Sequence, residues 1–139
     1  PVYADWGYQN RTCSVRVSAP GRVEYRSVDS SHNPYLMGAG ILNAFADGLD
    51  NKIDPGEPLS CNMYTDHKNY PNLKKLPNEI EDALDELDEN KIIREAIGND
   101  VINSYLKLKR NEIENFNKED SFNKKNPVTN WEKNNTLDC

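Results

Sequence analysis

The sequence predicts an α+β fold in which a short antiparallel hairpin precedes a mainly helical region. Three observations lead there. Residues 12–17 and 22–27 alternate apolar and polar side chains, the two-residue period of half-buried strands. Residues 35–49 are apolar nearly all round, the composition of a helix covered on every side. From residue 78 onward, apolar residues recur at three- and four-residue intervals between good capping residues, the pattern of packed amphipathic helices.

In the first strand Cys13, Val15 and Val17 share one face, and Thr12, Ser14 and Arg16 the other. In the second, Val23 and Tyr25 are expected to face inward while Arg22, Glu24 and Arg26 share the opposite face. Ser18-Ala19-Pro20-Gly21 supplies the turn. If the apolar faces coincide, Arg16 stands opposite Glu24 and Ser14 opposite Arg26. Asn33 is a good N-cap with Pro34 at the first helical position, and the helix it starts is expected to be buried, with Gly38 and Gly40 permitting close backbone approach, and to end near Gly48. Asp54-Pro55-Gly56-Glu57-Pro58 reads as a turn, and Leu59 to Lys75, which lacks a clear period, as a long surface loop.

Asn78, with Glu81 three residues on, caps a helix whose apolar stripe is Ile80, Ala83, Leu84 and Leu87. A short helix around Ile92, Ile93, Ala96 and Ile97 is closed by Gly98. Asn99 is placed to cap the last long helix, with Ile102, Tyr105, Leu106, Ile113 and Phe116 as its stripe. Residues 117–126 are polar and unpatterned, the composition of a mobile segment before Val128 to Trp131. There is no internal repeat.

Length, 139 residues, allows one domain or a piece of one. With 36% apolar residues and a mean hydropathy of −0.88, few side chains are left for a private core. No apolar run approaches the roughly 20 residues of a membrane span, and there is no basic, apolar leader, so an integral membrane protein is not expected. Seventeen Lys+Arg against 23 Asp+Glu give a net charge of −6. An acidic balance without a basic cluster argues against nucleic acid as a partner. Cys13, Cys61 and Cys139 are odd in number and widely spaced, matching neither a disulfide framework nor a zinc site, so a reducing cytoplasm is expected.

Charge is distributed unevenly. Arg11, Arg16, Arg22 and Arg26 fall in the first 26 residues, which hold no lysine, whereas every lysine lies from Lys52 onward. Arginine is the side chain for bidentate recognition of carboxylate or phosphate, so the first quarter reads as a site and the rest as scaffold. In Arg22-Val23-Glu24-Tyr25-Arg26, a carboxylate between guanidinium groups stays ionised and is able to ligate a divalent cation, while the arginines accept an anion. The plainer alternative is a solvated strand face with cross-strand ion pairs. His32 and His67 lack partners at metal-ligand spacing and read as surface or loop residues. Tyr64 falls in the irregular loop, where modification and simple packing both remain open. The acidic run from Glu79 to Glu89 lies off its helix's apolar stripe and reads as a solvated face.

The ordered set Asn10-Arg11-Thr12-Cys13-Ser14-Val15-Arg16, Arg22-Val23-Glu24-Tyr25-Arg26, Asn33-Pro34-Tyr35-Leu36, Asp47-Gly48-Leu49, Asn51-Lys52-Ile53 and Asp54-Pro55-Gly56-Glu57 resembles the C-terminal part of the glutamine synthetase catalytic domain. The likeness is dense from Trp6 to Glu57 and looser through Asp82-Ala83-Leu84, Tyr105-Leu106, Lys109-Arg110 and Thr129-Asn130-Trp131. Trp6-Gly7-Tyr8-Gln9 and the ending Leu137-Asp138-Cys139 are more similar to a branch that includes γ-glutamylmethylamide synthetases.

The resemblance implies an ATP-dependent ligase that phosphorylates the γ-carboxylate of glutamate and displaces phosphate with ammonia, giving glutamine, ADP and phosphate. It implies Mg²⁺ or Mn²⁺, ATP as substrate, cytoplasmic location, and a homo-oligomeric double ring of ten or twelve subunits. Glu24 matches a metal ligand. Arg26 and Arg11 match catalytic residues that hold glutamate and the transferring phosphoryl group. Arg11, Arg16 and Arg22 match the ATP-binding side. Residues 1–58 then carry the active-site hairpin and buried helix, and residues 59–139 the loop and helical C-terminal region. The family's other metal-binding residues precede the part matched here, so the chain reads as a fragment that is inactive alone. Alternatives are an enzyme of the same family using an alkylamine in place of ammonia, or a non-catalytic fragment that binds intact subunits.

Overall fold

The computed structural model describes residues 1–119 and 127–136. It is α+β, and it divides into two compact units: Pro1–Ser30 with Asp47–Ala83, and Ser31–Ala46 with the chain from Leu84 onward.

In the first unit, strands β1 (Trp6–Tyr8), β2 (Val15–Ala19) and β3 (Arg22–Tyr25) form a sheet in the order β1-β2-β3. The hairpin β2-β3 is antiparallel with the expected register: Arg16 faces Glu24, Val15 faces Tyr25, and the Arg26 amide donates to the Ser14 carbonyl at 2.8 Å. A register shift between Val17 and Ala19, and Gly21 at φ +73°, complete the turn. Strand β1 runs parallel to β2 and was not foreseen, because three residues are too few for an alternation to register. β2 also begins later than residue 12. Thr12 and Ser14 spend their hydroxyls on local partners, Asn10 Oδ1 (2.7 Å) and the Asp5 carbonyl (2.7 Å), which hold residues 12–14 out of the ladder.

Two expectations for this unit are corrected. Val23 and Tyr25 are exposed rather than inward, whereas the Arg16 and Glu24 side chains are only 13% and 26% exposed. The apolar core gathers instead around Cys13, Leu59 and Met63, flanked by Tyr3, Cys61, Tyr70 and Leu73. Residues 59–75 are therefore not a plain surface loop. They contain α2 (Met63–Asp66), capped by Asn62 Oδ1 accepting from the Tyr64 amide at 3.0 Å, and a 3₁₀ turn at His67–Asn69 whose His67 ring stacks on Tyr3. The 54–58 turn forms as expected, with Gly56 at φ +72° donating to Asp54 Oδ1 at 2.9 Å.

Segment 55–63 is laced to the first twelve residues. The Trp6 indole donates to the carbonyls of Pro55 (3.1 Å) and Gly56 (2.9 Å), the Leu59 amide to the Trp6 carbonyl (2.8 Å), and the Asn10 amide group to the carbonyls of Leu59 (2.8 Å) and Cys61 (2.9 Å). A Cβ on Gly7 would stand 2.3 Å from the Leu59 carbonyl oxygen, so the strand approaches this closely only because residue 7 is glycine.

Helix α1 (Pro34–Asp50) starts as expected: Asn33 Oδ1 accepts from the amides of Tyr35 (3.0 Å) and Leu36 (3.1 Å). Its expected burial is corrected, for none of its residues is buried and Leu49 is 79% exposed. An all-round apolar helix needs cover on every side, yet Tyr35, Leu42, Phe45 and Leu49 stay exposed, although Asn43 on the same helix donates to the Ile92 carbonyl at 3.0 Å. The helix also runs past Gly48 to Asp50.

Helices α3 (Ile80–Glu89), α4 (Lys91–Ile97), α5 (Asn99–Glu119) and α6 (Asn130–Asn135) follow. Leu84, Ile102 and Leu106 form the second unit's core, with Leu87, Ile93, Ile97, Tyr105 and Ile113 packed on it, so the expected stripes are met in part: Ile80, Ala83, Ile92 and Ala96, also expected on them, are exposed. Asn90 caps α4 and Gly98, at φ +102°, closes it; Asn99 is already the first residue of α5. Residues 117–119 belong to α5 rather than to a mobile segment, while the remainder of that expectation, 120–126, and the ending 137–139 lie outside the described residues. The acidic face of α3 is not merely solvated: Asp88 pairs with Arg94 (2.9 Å) and Arg110 (3.2 Å), and Asp85 with Arg110 (3.0 Å). Thr129 and Glu132 cap α6 reciprocally, and Trp131 meets Phe116 edge to face at 5.7 Å.

Candidate functional site

Charge on the first unit converges on Glu24. Pairing across the hairpin sets Arg16 directly opposite, and its Nη1 donates to both carboxylate oxygens, at 2.9 and 2.8 Å. Arg22, two residues before Glu24 on β3, approaches to 3.7 Å with a largely exposed side chain. Arg26, two residues after it, is half-buried and also acts on the carboxylate electrostatically. The hydrogen bond from Arg16 is the largest influence on Glu24, with the fields of Arg16, Arg22 and Arg26 behind it, and together they outweigh desolvation and hold its carboxyl below the usual range.

The alternation on β2 and β3 thus brings Arg16, Arg22, Glu24 and Arg26 together on one face. Arg11 is different: it is exposed, in the turn leading into β2, whereas Arg16, Arg22 and Glu24 lie on β2 and β3 and Arg26 directly follows β3. Four polar atoms of the hairpin region are buried without a hydrogen-bond partner, Arg16 Nε, Arg26 Nε, Ser18 Oγ and Ser27 Oγ. Unmet donors beside positively charged groups suit an anion that accepts several hydrogen bonds. Gln9 was missed at the sequence level. Its side-chain oxygen accepts from Arg16 Nη2 and its amide nitrogen donates to the Ser18 carbonyl, so it braces the guanidinium through the terminal nitrogen that does not bond Glu24. Its backbone, at φ +51°, is the unusual feature, and no sequence pattern signals it.

The donor set does not amount to a metal cage. Among the described residues no three His, Cys, Asp or Glu side chains are grouped to hold an ion, and both oxygens of Glu24 are engaged by Arg16. His67 stacks on Tyr3, Tyr64 is exposed on α2, and neither joins the arginine cluster. No helix among the described residues is long and apolar enough to cross a membrane.

Residues 1–131 match the family model described as glutamine synthetase, catalytic domain. The chain is 37% identical over 123 residues to the glutamine synthetase of Pyrococcus abyssi, a match covering 84% of this chain and 28% of that protein. It is 37% identical over 138 residues to the glutamine synthetase of Rhizobium meliloti, covering 99% of this chain and 30% of the relative. A solved structure described as a GmaS/ADP complex, conformation 1, superposes on the whole chain with a TM-score of 0.81 at 32% identity, over 30% of its own length. The chain therefore spans less than a third of the relatives it matches.

Proposed function

Since the chain belongs to the glutamine synthetase family, we propose that it supplies the anion-binding hairpin of an ATP-dependent ligase that joins ammonia to the γ-carboxylate of L-glutamate through γ-glutamyl phosphate, releasing ADP and phosphate. The observation that carries this reading is the Glu24 carboxylate held ionised among Arg16, Arg22 and Arg26 on one sheet face. Phosphoryl transfer asks a protein chiefly for positioned positive charge and hydrogen-bond donors, and this face is built of both.

In this reading Arg16 and Arg22 bind the nucleotide phosphates. Arg26 orients glutamate and its reacting carboxylate, and Arg11 approaches the transferring phosphoryl group from the turn. Glu24 contributes one oxygen ligand to Mg²⁺ or Mn²⁺, whose other ligands come from outside this chain, and the ion's role is to neutralise phosphate charge. The whole protein acts in the cytoplasm as a homo-oligomeric ring. The similarity to the GmaS structures supports a second reading, in which the acceptor is a small alkylamine and the reacting residues of this chain keep the same roles.

The test uses a longer protein carrying this chain together with the region that precedes it in relatives. Glu24→Ala should raise the metal concentration needed for activity, and Arg26→Ala should lower kcat and weaken glutamate use. Wild-type kinetics in both variants would return the cluster to a structural ion-pair role. Rates with ammonia and methylamine choose between the two acceptors.

A further inference from the structure

The core of the first unit is rich in sulfur. Cys13 is fully buried, Met63 is buried with it, and Cys61 packs half-buried against the same cluster. The Sγ of Cys61 lies 3.6 Å from the Sδ of Met63. The backbone fixes these groups: Asn10 holds the Cys61 carbonyl, and the Met63 amide donates at 3.0 Å to the hydroxyl of Thr12, the residue before Cys13. Both cysteines are free thiols, and neither belongs to the arginine face.

We propose that Cys13, Cys61 and Met63 form a three-sulfur site for a soft monovalent metal ion, of which Cu(I) is the type. Thiolate and thioether donors select Cu(I), whereas Mg²⁺ prefers oxygen ligands. Trigonal coordination with metal–sulfur bonds of about 2.3 Å sets sulfurs about 4 Å apart, close to the spacing already present between Cys61 and Met63. Binding transfers no electrons: the ion enters as Cu(I), each thiol forms a metal–sulfur bond as its proton passes to water, and the thioether adds a lone pair. Each thiol must lose its proton to bind the ion, so affinity rises with pH. The half-buried Cys61 provides the route in from solvent.

The 139-residue chain carrying Cys139→Ser, which leaves Cys13 and Cys61 as its thiols, is titrated anaerobically with Cu(I) supplied as its bicinchoninate complex. Transfer of a single Cu(I) per chain with a near-ultraviolet thiolate-to-copper band is expected. Met63→Leu conserves volume and should keep the fold while weakening Cu(I) about tenfold or more. Cys61→Ser should abolish transfer with an unchanged circular dichroism spectrum. Failure of the parent chain to take Cu(I), or equal affinity in the parent and Met63→Leu, would overturn the site.

Discussion

Arg16 is the residue on which the charged face turns. It bonds both oxygens of Glu24 and is braced by Gln9, so removing it exposes Glu24 to its own desolvation. In Arg16→Gln the Glu24 carboxyl is expected to titrate higher than in the parent, as carboxyl NMR would read; unchanged titration would show that Arg22 and Arg26 suffice. The linkage has a definite sign: a carboxyl lowered by folding contributes stability above its unfolded value of 4.5, lost as pH falls through the lower folded value. Cys13 behaves oppositely. Burial first, then the nearby Asp5, pushes its thiol from 9.0 up to about 11, so its contribution to stability is present below pH 9 and is lost as pH rises from 9 towards 11. Iodoacetamide at pH 8 should therefore label Cys61 well before Cys13, measured by peptide mass spectrometry, and equal labelling would mean that the first unit opens readily.

At the scale of elements, β1 depends on a side chain that is absent. Gly7→Ala places a methyl group against the Leu59 carbonyl, backbone that also accepts from the Asn10 amide group and whose own amide donates to the Trp6 carbonyl. A loss of about 1–3 kcal/mol is expected, seen as a lower urea midpoint in tryptophan fluorescence, while Gly38→Ala, with open space around it, should cost far less. The hairpin, its register, the N-cap at Asn33 and the core-facing residues Leu84, Ile93, Ile97, Ile102 and Leu106 were legible because each rests on a local period or cap. What escaped was set by distant partners. β1 exists because β2 lies beside it, and Leu59 and Met63 are buried because Asn10 and Thr12 draw their segment inward. Among the candidate residues, the hairpin alternation located Glu24 with Arg16, Arg22 and Arg26. Gln9 was invisible because its role follows from one backbone angle.

On the scale of the molecule, α1 carries more apolar surface than the chain covers. Tyr35, Leu42, Phe45 and Leu49, all exposed, follow a seven-residue repeat in which Gly38 also falls. The chain alone is expected to self-associate despite its net charge of −6. Sedimentation velocity should show species above the 15.9 kDa monomer, shifted towards monomer by Leu42→Glu with Leu49→Glu. A monodisperse parent with a sharp cooperative melt would show that the chain needs no further cover.

The lacing of residues 55–63 onto the first strand also determines what a cut would do. A protease that nicks α1 severs the covalent path between residues 1–30 and 47–83, yet the Trp6 indole, the Asn10 amide and the close approach at Gly7 still clasp the two pieces. The first unit would persist as a reconstituted pair of peptides, separable by denaturant and able to find each other again when it is removed.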